Sequence, residues 1–275
     1  MCGWQCADII AQMSEFIDIG VNLTASSFKP DLEAVLRRAR DAGVVRMIVT
    51  GTNIEHSKLA LALDQQYPGT LFSTAGLHPH HASEFDADTI PLLRELCQHE
   101  SVVAVGECGL DYNRNYSSPA DQRRAFEAQL QLACELDLPV FLHQRDAHAD
   151  FVGMLSDYHQ NLTGAVAHCF TGSLDEALHY CAMGMYIGIT GWICDERRGL
   201  DLQRAVKHIP LERIMLETDA PYLLPRDLQQ PPVQKRRNEP CFLPHICEVT
   251  ARYRGIGSEN LARSTLENTR SFFNI

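Results

Sequence analysis

Eight short apolar runs recur along the chain and alternate with segments whose apolar residues have helical spacing. The runs are rich in β-branched residues and read FIDIGV, VVRMIVT, LFSTAGL, VVAVGE, PVFLH, GAVAH, MYIGIT and RIMLE. Near-continuous apolar strands that alternate with helices are typical of a parallel sheet covered by helices. The pattern therefore predicts eight strands, each followed by a crossover. Eight such units favour a closed TIM (β/α)8 barrel, with a doubly wound open sheet as the alternative.

Four of these runs end on a residue type that binds divalent metals. They are Glu107, His143, His168 and Asp219. The carboxyl ends of barrel strands meet at one mouth, where barrel enzymes gather carboxylate and imidazole ligands. One such residue alone is more simply explained as a helix cap, a turn residue or a core imidazole bonded to the backbone. Four in succession predict a metal site.

Asp219 lies in LETDAPYLLPRD, where a turn-initiating role before Ala-Pro is the simpler interpretation. As a functional group it would ligate the metal or accept a proton from metal-bound water, and the sequence leaves these two roles open. His78 ends the third run, in AGLHPHH, and is a candidate for orienting a phosphate or carbonyl near the metal, or for supporting a ligand. His80 and His81 follow a proline and are predicted to be solvated loop residues.

Cationic and aromatic residues are concentrated in loops on the same predicted face. The cations are Arg114, Arg145, Arg197, Arg198, Lys235, Arg236 and Arg237, and the aromatics are Tyr112, Trp192 and Tyr222. Solvated charges and packing aromatics are the ordinary explanations. Guanidinium groups around a metal are nevertheless suited to phosphate esters, because they match phosphate geometry bidentately. The aromatic rings are candidates for stacking on unpaired bases.

The composition narrows the function classes. The chain has 275 residues and a formal net charge of −11, which argues against a broad basic face for duplex DNA. Its ten cysteines form no CxxC pair, which favours reduced thiols in a cytoplasmic protein. No segment is apolar enough to span a membrane. No linker divides residues 16–275, so we expect one domain, and we expect a monomer.

Several long strings resemble the TatD family of metal-dependent deoxyribonucleases, from Phe16 onward. They are GECGLDYNRN, HQRDAH, AHCFTG, YIGITGWICDERRG and ETDAPYLLPRD. The resemblance implies a TIM barrel of the metal-dependent hydrolase type. It also implies hydrolysis of phosphodiester bonds by metal-activated water, from the 3′ end of single-stranded DNA, with RNA as a further candidate substrate. A role in DNA repair is implied by the family alone.

The resemblance assigns roles to the residues at the strand ends. Glu107 matches a carboxylate that can bridge two metals, His143 and His168 match two imidazole ligands, and Asp219 matches the aspartate of the eighth strand. His78 matches a histidine near the scissile phosphate, so that Asp219, His78 and Glu107 are the expected catalytic residues. The expected substrate-binding residues are Arg145, Arg114, Asn22 and Arg197.

The first strand departs from the family pattern. Many members carry a His-x-His pair there, whereas this chain has Gly20 and Asn22. We therefore expect one firm metal at Glu107, His143 and His168, and a second metal bound weakly or only with substrate. An open, oxygen-rich second position favours Mg²⁺, which keeps several waters and binds substrate phosphates.

The resemblance begins near Phe16, which predicts that the residues before it are not part of the barrel domain. Residues 1–15 are expected to be an N-terminal extension, either disordered or upstream of a true start at Met13.

One alternative function is a barrel hydrolase of small amide, ester or aminoacyl substrates, because the same ligands support carbonyl attack. The other is a binding or quality-control protein that has lost catalysis.

Overall fold

The computed structural model describes residues 14–229 and 236–275, and eight parallel strands form its one sheet. The strands are β1 (Phe16–Val21), β2 (Val44–Val49), β3 (Leu71–Ala75), β4 (Val102–Asp111), β5 (Val140–Arg145), β6 (Ala165–Ala167), β7 (Tyr186–Ile189) and β8 (Ile214–Leu216). Each strand pairs with the next in chain order. All eight predicted strands are therefore confirmed. The sequential order identifies a TIM barrel and excludes a doubly wound sheet, whose order reverses.

Nine α-helices of the described residues cover the sheet. They are α1 (Leu32–Asp41), α2 (Ile54–Asp64), α3 (Thr89–Leu96), α4 (Pro119–Leu136), α5 (His148–Tyr158), α6 (Leu174–Ala182), α7 (Leu200–Ala205), α8 (Leu243–Arg254) and α9 (Ser258–Phe273). Short 3₁₀ helices span Pro79–Glu84, Gly191–Cys194, Leu211–Arg213 and Pro240–Phe242. No helix in the described ranges is long and apolar enough to cross a membrane.

Local sequence signals account for where the helices begin and end. Helix α4 starts with Pro119 after Ser118, whose hydroxyl accepts the backbone N–H of Asp121. Its last turn is followed by Asp137 in the left-handed conformation, a common helix termination. Helix α6 begins with a reciprocal capping box between Ser173 and Glu176. These caps satisfy backbone groups that a helix end leaves without partners.

The strands divide the core into two parts. Alternate strand residues pack outward against the helices, as Val21, Val49 and Leu142 do. The intervening residues fill the barrel interior and include Ile19, Ile48, Val103, Phe141, Val166 and Met215, with Phe273 of α9 packed against them. The ring of Phe141 lies 4.6 Å from the ring of His168. The interior is thus a packed floor beneath the barrel mouth.

The residues that follow β8 close the barrel onto β1. The backbone N–H of Asp219 donates to the carbonyl of Gly20 at 2.9 Å, and the N–H of Asn22 donates to the carbonyl of Ala220 at 2.7 Å. The buried carboxylate of Asp18 accepts the backbone N–H of Thr218 at 2.9 Å, and the Thr218 hydroxyl donates to it as well. Burial raises the pKa of Asp18 to about 8. These bonds join residues about 200 positions apart in the chain.

Two strands continue further than the sequence indicated. Glu107 and His143 were expected at strand ends, but β4 runs on to Asp111 and β5 to Arg145. The two strands stay paired because Gly109 lets them approach closely. A Cβ on Gly109 would lie 2.0 Å from the carbonyl oxygen of His143, and its φ is +139°. Glu107 and His143 therefore lie within strands and not at their ends, and the pairing of β4 with β5 shifts register at Glu107, between Gly106 and Cys108.

The expectations about the N-terminal extension up to Met13, the start at Met13 and the loop residue Lys235 lie outside the described residues. The described structure begins just before β1. There, the carboxylate of Glu15 forms an ion pair of 3.2 Å with Arg270 of α9. This contact fixes the entry to the barrel domain.

Candidate active site

A cavity of about 940 Å³ opens at the carboxyl ends of the strands. Its wall includes the five residues that the sequence selected for metal binding and catalysis, which are His78, Glu107, His143, His168 and Asp219. They arrive from β4 and β5 and from the segments after β3, β6 and β8. The structure therefore brings together residues that lie as far apart in the chain as His78 and Asp219.

Glu107 is the centre of the cluster. Its Oε1 atom lies 2.8 Å from His168 Nε2, 3.1 Å from His143 Nδ1 and 3.2 Å from His78 Nε2. Three imidazole nitrogens around one buried carboxylate oxygen are an unusual arrangement for packing alone. His78, Glu107 and His143 offer ligand atoms that all lie within 4.8 Å of one another. Nitrogen and oxygen donors in this arrangement fit a divalent metal ion.

Two further carboxylates contact the histidines from the side away from Glu107. Glu217 Oε2 lies 3.1 Å from Nδ1 of His168. Asp111 Oδ2 lies 3.4 Å from Nε2 of His143, although that buried nitrogen makes no well-directed hydrogen bond to another described residue. Metal-binding histidines commonly direct their second ring nitrogen at a carboxylate, which fixes the orientation of the ring. Asp111 and Glu217 stand in that position.

The protein's own groups shift the protonation of the cluster strongly. Burial alone would raise the pKa of Glu107, but the imidazoles of His168 and His78 hold it well below its ordinary value. Burial would lower the pKa of His168, but Glu107 and Glu217 hold it well above the ordinary value. For His78, burial prevails and lowers the pKa to about 4. The centre thus holds a carboxylate whose negative charge attracts a cation.

Asp219 lies beside this cluster and is partly buried. Among the described residues, the one hydrogen bond to its carboxylate comes from the side-chain amide of Asn22, at 3.0 Å. Burial raises the pKa of Asp219 to about 7, although nearby His168 lowers it; the charges of Glu107 and Glu217 raise it further. A partly buried carboxylate with a single neutral donor fits either a metal ligand or a proton acceptor.

The predicted cations divide into two groups. Arg114 and Arg145 line the cavity, and so does Arg198. Arg197 is not part of the cavity wall, and its guanidinium lies 3.6 Å from Asp195. Arg237 is buried between Asp31, the residue before α1, and Glu239, the residue before the 3₁₀ helix Pro240–Phe242, with an N–O distance of 2.7 Å to each. The prediction that Arg237 is a free phosphate-binding group is therefore wrong.

The structure adds residues to the site that sequence reasoning missed. His80 was predicted to be a solvated loop residue, but it lines the cavity and its Nε2 lies 2.7 Å from Asp111 Oδ2. The 3₁₀ turn that follows Pro79 directs it inward. Asp111, Glu217 and Tyr116 were not selected either. Asp111 lies within GECGLDYNRN and Glu217 is the first residue of ETDAPYLLPRD, so both strings contained the signal although no rule of spacing assigned these residues a role.

Fold and site together define a class: a TIM-barrel hydrolase with a donor set for divalent metal at the carboxyl ends of its strands. A family model described as "TatD related DNase" matches residues 17–274. The chain belongs to the TatD family.

Three relatives illustrate this membership. The "3'-5' ssDNA/RNA exonuclease TatD" of Pantoea vagans is 54% identical over 258 residues, covering 94% of this chain and 99% of the relative. The crystal structure of the TatD homologue YJJV from Escherichia coli has a TM-score of 0.87 at 32% identity, covering 96% of this chain and 99% of that one. A TatD family hydrolase from Entamoeba histolytica also has a TM-score of 0.87, at 27% identity, covering 94% and 98% of the two chains.

Proposed function

We propose that this chain is a metal-dependent 3′–5′ exonuclease that acts on single-stranded DNA, with RNA as a further substrate. The observation that carries the proposal is the cluster of three imidazoles around Glu107, in a cavity whose wall also contains arginines. A nearly full-length relative bears the name of that activity. A DNA-repair role, a cytoplasmic location and a monomeric state stay predictions.

The positions of the residues in the cluster suggest a role for each of them. Glu107, His143 and His168 would hold the metal, with Asp219 completing the set or acting beside it. When bound, a divalent ion neutralises phosphate charge and lowers the pKa of water towards neutrality. In the metal-free protein burial raises the pKa of Asp219 to about 7, and its carboxylate beside the cluster is the group placed to accept a proton. Asn22 holds that carboxylate in place.

The cations at the mouth would bind the substrate's phosphates. Arg145 donates to the Thr171 hydroxyl at 3.3 Å, and its guanidinium lies 5.4 Å from the centre of the Trp192 ring. These contacts position the guanidinium at the cavity wall and leave other N–H groups for a phosphate. Arg114, on the loop after the neighbouring strand β4, donates to the Tyr116 hydroxyl at 3.3 Å. The positive charge of these guanidinium groups would bind a phosphate but would contribute little to binding a neutral carbonyl substrate.

The first strand bears on the number and kind of metal ions. Glu217 Oε2 would lie 2.5 Å from a Cβ on Gly20, so this carboxylate fills the space that a longer side chain at residue 20 would need. One firm metal at Glu107, with a second weak or substrate-dependent ion, agrees with that crowding. Mg²⁺ is the prediction from the open second position, whereas the imidazole donors favour borderline metals such as Zn²⁺.

Degradation of end-labelled oligonucleotides tests the proposal. Metal-stripped protein would be supplied separately with Mg²⁺, Mn²⁺ and Zn²⁺, on single-stranded DNA and RNA labelled at the 3′ or the 5′ end. We expect stepwise, metal-dependent loss from the 3′ end that Glu107→Ala abolishes. The control Glu267→Ala alters an exposed carboxylate on α9, away from the cavity wall, and should leave the rate unchanged. Intact nucleic acid with every metal would refute the exonuclease.

A further inference from the structure

Aromatic side chains at the cavity mouth differ in whether their rings are free. The Trp192 ring has the guanidinium of Arg198 at 4.4 Å from its centre and that of Arg145 at 5.4 Å. Tyr112 does not line the cavity, and its hydroxyl donates to Asp150 at 2.7 Å. Neither ring is therefore well placed to receive a base.

Tyr116 and Tyr222 are different, because both line the cavity and expose their rings. Their exposed fractions are 65% and 59%. Five large apolar side chains of the described residues are exposed, and three of the five, Leu59, Tyr116 and Tyr222, lie at this one cavity. The apolar exposure is thus concentrated where a substrate would bind.

Tyr116 is held near the imidazole cluster by its surroundings. Its ring lies edge-on to His80 at 4.7 Å between centres, and His80 lies 4.3 Å from His78. The next residue, Ser117, is buried; its hydroxyl donates to the His80 carbonyl at 3.0 Å and accepts the N–H of Ser83 at 2.9 Å. The backbone is fixed while one end of the ring remains open to solvent.

Tyr222 is anchored in the same way beside Asp219. Its backbone N–H donates to the Asp219 carbonyl at 2.9 Å, and its own carbonyl accepts the side-chain amide of Asn238 at 2.7 Å. Its hydroxyl has no hydrogen bond to another residue in the described part of the chain. Two exposed rings on anchored backbone segments therefore flank the imidazole cluster, one on the loop after β4 and one after β8.

We propose that Tyr116 and Tyr222 are stacking platforms for two unpaired bases next to the scissile phosphate. The proposal rests on the exonuclease function and deepens it. Aromatic rings stack on any base and require that the base be unpaired, so the pair would select single strands without selecting sequence. Stacking would also supply affinity that this acidic chain, with a net charge of −11, cannot obtain from a long basic track.

The test compares variants on intact and abasic substrates. Tyr116→Ala and Tyr222→Ala, each with its Phe counterpart, would be assayed on oligothymidylate and on the same oligomer carrying abasic residues at its two 3′-terminal positions. Each Ala variant should lose about 5- to 150-fold in kcat/KM on the intact strand, mainly through KM, and Phe should restore it. Tyr158→Ala, on the outer helical layer, is the matched control.

The deciding quantity is the ratio of kcat/KM on the intact strand to kcat/KM on the abasic strand, compared between wild type and each variant. Wild type should hydrolyse the abasic strand more slowly than the intact strand, because the abasic strand has no base to stack on the rings. The Ala variants should show a much smaller difference between the two strands, because they already lack a ring on which a base could stack. Equal discrimination by wild type and both Ala variants would overturn the stacking role. If wild type hydrolyses neither strand, the exonuclease function fails instead. In that case, the dissociation constants of the intact and abasic strands, measured by fluorescence anisotropy for wild type and the Ala variants, would test the stacking role of the tyrosines.

Discussion

Glu217 Oε2 lies 3.1 Å from Nδ1 of His168, on the side of the ring opposite the nitrogen that faces Glu107. The other oxygen of the same carboxylate accepts the backbone N–H of Cys169. Glu217 is fully buried and therefore holds one defined position. It places the imidazole so that Nε2 and not Nδ1 is directed into the cluster. Asp111 stands in the corresponding position beside His143.

Replacing Glu217 by Gln should weaken metal binding, because the amide keeps the shape of the side chain but loses its charge. Loss of such a supporting carboxylate typically costs about 10- to 100-fold in metal affinity. Isothermal titration of metal-stripped protein measures this, with the exposed Glu212→Gln as control. A changed melting temperature with an unchanged metal dissociation constant would assign Glu217 a structural role only.

A side chain at residue 20 should destabilise the protein. A Cβ there would lie 2.5 Å from Glu217 Oε2 and 3.1 Å from the Phe141 ring. We expect Gly20→Ala to lower the free energy of unfolding by about 1–3 kcal/mol, as overpacking does. Gly153→Ala is the matched control, because a Cβ there meets nothing within 4 Å and alanine favours the α5 helix. Denaturant titration of both variants makes the comparison.

The same crowding predicts the result of restoring the family's first-strand pair. The double variant Gly20→His with Asn22→His should not gain a second tight metal site, because the new imidazole and the Glu217 carboxylate compete for one space. Metal stoichiometry without substrate is the measurement. Two equally tight sites in this variant would show that Glu217 moves aside easily, and two in the wild type would contradict the single firm metal.

Arg145→Ala should separate phosphate chemistry from carbonyl chemistry. Hydrogen bonds to charged groups contribute about 1.5–3 kcal/mol, so kcat/KM on single-stranded DNA should fall roughly 10- to 150-fold. Hydrolysis of a neutral ester should hardly change. Arg197→Ala is the control, because Arg197 lies outside the cavity wall. Equal losses on both substrates would favour the small-substrate hydrolase over the nuclease.

Acid should weaken a specific ion pair in the fold. Hydrogen bonding to Arg237 lowers the pKa of Asp31 from 3.8 to about 2. Because the folded-state value is the lower one, this carboxylate stabilises the fold above pH 3.8, by about 2 kcal/mol, and the contribution is lost as pH falls towards 2. Urea unfolding of wild type and Asp31→Asn should show a difference at pH 7 that shrinks by about 1 kcal/mol at pH 3. A difference independent of pH would exclude this linkage.

The strands and the polar residues that end their apolar runs could be predicted, because both depend on local pattern, although β4 and β5 continue beyond Glu107 and His143. An apolar run must leave the core on a polar residue, and barrel geometry then directs such residues to one mouth. The roles of His80, Asp111 and Glu217 could not be predicted, because each depends on a partner from another strand or turn. For the same reason, the sequence could not distinguish Arg198, which lines the cavity, from its neighbour Arg197, which does not.

The bonds that join Asn22 to Asp219, and Asp18 to Thr218, connect the first strand to residues about 200 positions later. During synthesis on the ribosome, the first seven strands and the three imidazoles around Glu107 emerge before Glu217 and Asp219. A fragment that ends before Ile214 lacks both Glu217 and Asp219 and would be inactive however well it folded. Hydrolytic competence therefore begins only late in translation, when the barrel closes.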